Sequence, residues 1–225
     1  MSFSARSKSE LPETKRKLID AGVELMRVQG FNATSVDEIC AAAGVTKGGF
    51  FHYFKSKEDL AKAAVGRFRE GKMRSLGEAP YRTMKDPLDR VFGRLDFEKA
   101  VIEQSGGRPA KGCLVGMFAQ EMVVKHQELR GACEEFFSDV GGDLEKEIAE
   151  AKALHAPEAA FDPKKVATFY LAMVQGSLIL SKSSGSNEVR LDNIEQFRQY
   201  LALLFGKARA TDDGGEEHPP AARRN

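Results

Sequence analysis

Cysteine is scarce: Cys40, Cys113 and Cys133 are the only three in 225 residues, too few and too scattered for a disulfide framework or a CxxC metal site. Reduced thiols are expected. The four histidines, at 52, 126, 155 and 218, show no metal-ligand spacing, so neither a metal nor a cofactor is expected. GxSxG, HExxH, P-loop and GxGxxG motifs are absent, which argues against an enzyme. Tryptophan is absent too. The longest mostly apolar run, Phe169 to Leu180, is interrupted by Gln175 and Ser177 and falls short of the roughly 20 residues a membrane span needs. No membrane partner is expected. The opening MSFSARSKSELPETKRK is basic but has no apolar h-region, so a cytoplasmic location is expected.

What is present is an ordinary globular composition, 42% hydrophobic and 30% charged, with 34 Lys plus Arg against 33 Asp plus Glu. The near-zero balance hides an asymmetry. Residues 1–75 carry 14 basic and 9 acidic side chains, and the remainder carries 20 and 24. A basic head on an acidic body suggests that the head meets a polyanion.

Nearly every periodic segment repeats at helical spacing, which predicts an all-α chain of about nine helices. Leu18, Ala21, Leu25 and Met26 form one stripe of a first helix from about Pro12 to Gly30. Ser35-Val-Asp-Glu38 is a capping box opening a short helix at about 35–42. Gly44 then supplies a tight turn, Thr46 caps a second short helix at about 46–53, and Ser56 with Asp59 caps a long one through about residue 75. Two short helices around a glycine turn are a helix-turn-helix candidate. Further helices are expected at about 87–105, 110–125, 127–152, 162–184 and 190–206, separated by Gly/Pro and Ser/Gly breaks. The expected organisation is a three-helix head over 11–58, a connecting helix at about 56–76, a helical body over 59–208 and a disordered tail over 209–225.

Gly30-Phe31, Thr34-Ser35-Val36, Ile39, Ala42-Ala43-Gly44-Val45, Lys47-Gly48, His52-Tyr53-Phe54 and Ser56-Lys57-Glu58-Asp59-Leu60 stand in fixed order. This pattern, over about residues 12–72, resembles the DNA-binding domain of the TetR family of bacterial transcriptional repressors. The resemblance implies double-stranded operator DNA as a partner, with Lys47, Gly48 and His52 at base edges and Thr34, Ser35, Thr46, Tyr53 and Lys57 at phosphates. Where the family has tyrosine, Phe51 has no hydroxyl to offer. The residues themselves support the same use. Phe50 and Phe54 can anchor the short helix against Val36, Ile39 and Leu25, which leaves Thr46, Lys47, Gly49, His52 and Tyr53 on the opposite face. Gly48 and Gly49 each cost roughly 1 kcal/mol of helix propensity. Close approach to DNA is one reason to keep them; shaping a turn is the other.

For the body, the resemblance implies a homodimer and a small-molecule or electrophilic effector. Val166, Phe169, Met173 and Leu180 on the penultimate helix, and Ile194, Phe197, Leu201 and Leu204 on the last, have spacing suited to helix pairing. A monomer core would show the same pattern. Gly112-Cys-Leu-Val-Gly-Met-Phe-Ala-Gln-Glu121 resembles the subgroup containing the N-ethylmaleimide-responsive repressor and places Cys113 at a helix start near Lys111, where thiolate is favoured. A buried, inert thiol is the alternative. Lys182, Met117, Gln120 and Tyr170 complete the effector candidates, although the apolar side chains around them could equally fill a closed core. A helical interaction protein without DNA binding remains the alternative function, opposed by the presence of Lys47, Lys57 and both glycines.

Overall fold

The computed structural model describes residues 11–207 apart from 107–110, 123 and 125. The expected tail over 209–225 and the Gly107-Arg108-Pro109 break lie outside these residues. Within them the chain forms α1 (Glu13–Gln29), α2 (Val36–Ala43), α3 (Lys47–Tyr53), α4 (Lys57–Gly77), a 3-10 turn (Pro80–Thr83), α5 (Pro87–Glu103), α6 (Leu114–Glu121), α7 (Gln127–His155), α8 (Pro163–Ser184) and α9 (Glu188–Leu204). No strand occurs among the described residues. The all-α expectation holds.

The head is set by local chemistry. The Ser35 hydroxyl accepts the Glu38 N–H at 3.1 Å while the Glu38 carboxylate takes the Ser35 N–H at 2.7 Å, so the capping box is complete. Gly44 closes α2 at φ 65°, a left-handed conformation that glycine adopts without a Cβ penalty. Phe50 and Phe54 are buried with Leu18, Met26 and Ile39, which fixes α3 on α1 and α2.

α4 joins head to body by packing on both α1 and α7. The first apolar core runs from the head through α4 into α6 and the front half of α7, with Phe31 edge-on to Phe118 at 5.9 Å. A second core gathers α5, the rear half of α7, α8 and α9. Helix α6 is shorter than expected because Gly112 sits at φ +89°, which breaks helical geometry just before Cys113 caps the first turn. Helix α7 is longer, continuing to His155, whose ring meets Asp86 at 2.8 Å.

One expectation is overturned in α9. Ile194, Phe197 and Leu201 are buried within a single chain, Leu201 at 0% exposure, and Leu204 packs against the same core. The stripe closes its own body on α5 and α8 and is not left for a second copy. On α8, Val166 is likewise buried, whereas Phe169 and Leu180 remain about half exposed, at 50% and 53%.

Candidate nucleic-acid interface

Helix α3 is only seven residues long and begins where the Thr46 hydroxyl accepts the Gly49 N–H at 3.1 Å. With Phe50 and Phe54 turned inward, Thr46, Lys47, Gly48, Phe51 and His52 are exposed on the outside, and Tyr53 is half-buried. The Tyr53 ring stands edge-on to His52 at 4.7 Å. Phe51 is 51% exposed, an outward apolar ring suited to sugar or thymine methyl contact rather than to the core. The two glycines differ. A Cβ on Gly49 would come within 2.8 Å of the Val45 side chain, so its smallness is required by the turn; a Cβ on Gly48 would meet nothing closer than 3.9 Å. Packing within the chain therefore does not require glycine at position 48.

Lys47 is paired across the turn. Its ammonium lies 2.8 Å from Asp37 of α2, and this hydrogen bond raises the lysine pKa. Both side chains are well exposed, so the pair is weakly held and separable.

Two expected phosphate contacts are corrected by the geometry. Thr34 is buried and its hydroxyl donates to the Gly30 carbonyl at 2.7 Å. Lys57 turns away from the outer face: its ammonium donates to the Phe31 and Thr34 carbonyls at 2.8 and 2.7 Å and lies 4.1 Å from the centre of the Phe31 ring. Lys57 holds the α1–α2 loop in place. At the start of α4, the Ser56 hydroxyl accepts the Asp59 N–H and the Asp59 carboxylate accepts the Lys55 N–H at 3.1 Å, so the chain's own groups fill the site expected for an anion. Ser35 is exposed but engaged in its cap. Lys55, which no sequence motif singles out, is exposed in the turn between α3 and α4.

The effector candidates are not brought together. Cys113 is half-buried at the α6 N-cap, its sulfur accepting the Gly116 N–H at 3.4 Å, and Met117 lies against Gly112. Gln120 is exposed and bonds back to the Gly116 carbonyl. Tyr170 is buried in the second core. Lys111 pairs with Glu24 of α1, and Lys182 reaches the Val28 carbonyl of α1 at 3.2 Å. Arg27 donates to the Gly112 carbonyl at 3.1 Å, and Glu121 accepts the backbone and side-chain N–H of Asn32 at 3.2 and 3.1 Å. These polar contacts clamp the α6 region and the end of α8 to the head.

A helix-turn-helix head with an exposed third helix, fused through a long helix to a helical body, defines a DNA-binding regulator. Residues 18–64 match the family model of bacterial regulatory proteins, tetR family, and residues 95–196 match the C-terminal domain of LmrA/YxaF-like transcriptional regulators. The chain is 30% identical over 192 residues to the transcriptional regulator AcuR of Cereibacter sphaeroides, covering 84% of each. It is 24% identical over 182 residues to the HTH-type transcriptional repressor NemR of Escherichia coli K12, covering 78% of this chain and 87% of that one. The solved structure of the regulatory protein TetR from Rhodobacter sphaeroides superimposes with a TM-score of 0.72 at 27% identity, covering 86% of this chain and all 100% of the other. The chain belongs to the TetR family and is a DNA-binding transcriptional regulator. Among the described residues no helix is long and apolar enough to cross a membrane.

Proposed function

We propose that the protein is a cytoplasmic, homodimeric repressor that reads a near-palindromic operator with α3 and leaves it when an effector changes the body. The observation that carries the DNA reading is the outer face of α3, where Lys47, Gly48, Phe51 and His52 are exposed over a buried Phe50. Lys47 and His52 with the Gly48 backbone read base edges; Ser35, Thr46, Tyr53 and Lys55 position the phosphates. Gel-shift titration against the mapped operator tests this. Lys47→Ala should weaken specific binding about tenfold or more and relax sequence preference. Asp37→Asn should tighten binding, because it frees Lys47 and removes a carboxylate from the DNA side. Wild-type affinity in both variants would sink the assignment.

For the dimer, we place the interface on the outer face of α8. Phe169, Ala172, Gly176 and Leu180 recur there at helical spacing, and open space around Gly176 lets a second helix come close.

Cys113 is the thiol placed to respond to an electrophile, since a bulky group on it would disturb the α6 cap and the neighbouring Gly112 carbonyl that Arg27 holds. Maleimide near neutral pH should label Cys113 first. Burial raises the Cys40 pKa and pushes Cys133 up to about 11, so both are thiols with little thiolate. Operator release that survives in Cys113→Ser after the same treatment would show the residue to be structural.

A further inference from the structure

At the heart of the body lies a set of polar groups that the protein itself leaves unsatisfied. Arg94 of α5 is fully buried, and its Nη1 donates to Asp143 and Glu147 of α7 at 2.8 and 3.0 Å. Its other edge, Nε and Nη2, is buried with no hydrogen-bond partner. Those two N–H groups point side by side, the arrangement that grips both oxygens of a carboxylate. The hydroxyls of Tyr81 and Tyr170 are buried and unpartnered as well. Tyr170 faces Glu98 without closing a well-formed hydrogen bond. Burial pushes Tyr81 up to about 12 and Tyr170 well above its ordinary value, so both remain O–H donors. Buried donors without partners are rare and costly in native proteins, and four atoms on three mutually adjacent side chains call for a ligand.

The local charge points to its sign and size. Asp143 and Glu147 balance Arg82 and Arg94, and Glu98 balances Lys72 at 3.6 Å. Arg190, which also faces Glu98, leaves one positive charge over. We infer that this cluster binds the head group of a small organic monocarboxylate, gripped by the free edge of Arg94 and by the Tyr81 and Tyr170 hydroxyls. The inference rests on reading the body as an effector domain and names the effector's chemical class. One surplus charge matches a monoanion, whereas a phosphate dianion would leave the cluster negative.

A route and a consequence follow from Lys72. It lines a cleft of about 450 Å³ between α1 and α4, together with Phe68. Its partner Glu98 lines, with Arg190 and Ser177, a separate inner void of about 10 Å³, room for no more than about one water. The Lys72–Glu98 pair thus links the open cleft to the buried side, where Glu98 also faces Arg94 and Tyr170. A carboxylate entering there displaces Lys72 and shifts α4, the helix that carries the head, so the empty and filled states differ where the DNA reader is attached.

The test uses the full chain, with propionate and benzoate at millimolar concentration and constant ionic strength as probes, and propionamide and benzamide as neutral isosteres. At least one carboxylate should raise Tm with saturable concentration dependence and perturb tyrosine fluorescence, while its amide does neither. Tyr81→Phe loses only an unpartnered hydroxyl and should fold with Tm no lower than wild type; it and Tyr170→Phe, whose hydroxyl faces Glu98, should bind that carboxylate at least tenfold more weakly. A wild type that responds to neither carboxylate, a response matched by the amide, or Phe variants that bind as wild type would overturn the inference. Operator binding without any carboxylate is measured in parallel. If it persists while the carboxylate arm fails, only the effector class is wrong; if it is absent, the regulator reading fails and the Tm result still decides the carboxylate site.

Discussion

Leu201→Asp should unfold the body rather than split a dimer. Leu201 has no exposed surface within one chain and packs in the core shared by α5, α7, α8 and α9. A carboxylate there has no cationic partner to meet it among the residues of that apolar cluster, so it either stays charged and unsolvated or takes up a proton at a cost. The expected loss is about 4 kcal/mol or more, in the range reserved for buried unpaired charge. Leu180→Asp and Phe169→Asp alter side chains that are about half exposed on the outer face of α8. They should leave the fold intact and yield monomers. Circular dichroism melting with sedimentation at micromolar concentration separates the outcomes. A folded Leu201→Asp monomer would restore α9 as the interface, and folded dimers from both α8 variants would remove α8 from it.

Lys57→Met should lower the stability of the head by about 2–3 kcal/mol, since it deletes two hydrogen bonds from a charged donor to the loop carbonyls of Phe31 and Thr34. Operator affinity should fall with it, because that loop precedes Ser35 and sets where α2 begins. The salt dependence distinguishes this from a lost phosphate contact. Removing one phosphate ligand lowers the slope of log affinity against log salt by about one. With Lys57 acting as a strut, the slope should stay at its wild-type value while Tm drops; a reduced slope with unchanged Tm would return Lys57 to the phosphates.

Where the controlling interactions span three or four residues, the sequence is sufficient. The Ser35 to Glu38 box, the Thr46 cap, the Gly44 turn and the Phe50–Phe54 anchor depend on neighbours along the chain, and each stands as the spacing implies. That is why the all-α class, the helix-turn-helix head and the outward residues of α3 could be read directly. Apolar periodicity shows that a helix has a face to bury but carries no information about what covers it. The α9 stripe proved to be covered by its own chain.

Contacts distant in sequence were decided by the tertiary structure alone. Lys57 reads as a basic residue at a helix start, and only the return of the α1–α2 loop, 26 residues upstream at Phe31, supplies the carbonyls that capture it. Arg94 reads as one arginine on an amphipathic helix, with no motif around it. The packing of α5 against α7, roughly 50 residues away in sequence, satisfies one edge of its guanidinium and strands the other. The sequence by itself determined the all-α class, the caps and turn of the helix-turn-helix head and which aromatic side chains of α3 turn inward, because those follow from local hydrogen bonding and helical period. Tertiary packing decided which lysine is a strut, which apolar face stays open and where buried charge lacks a partner, because each depends on groups that only the folded chain brings together.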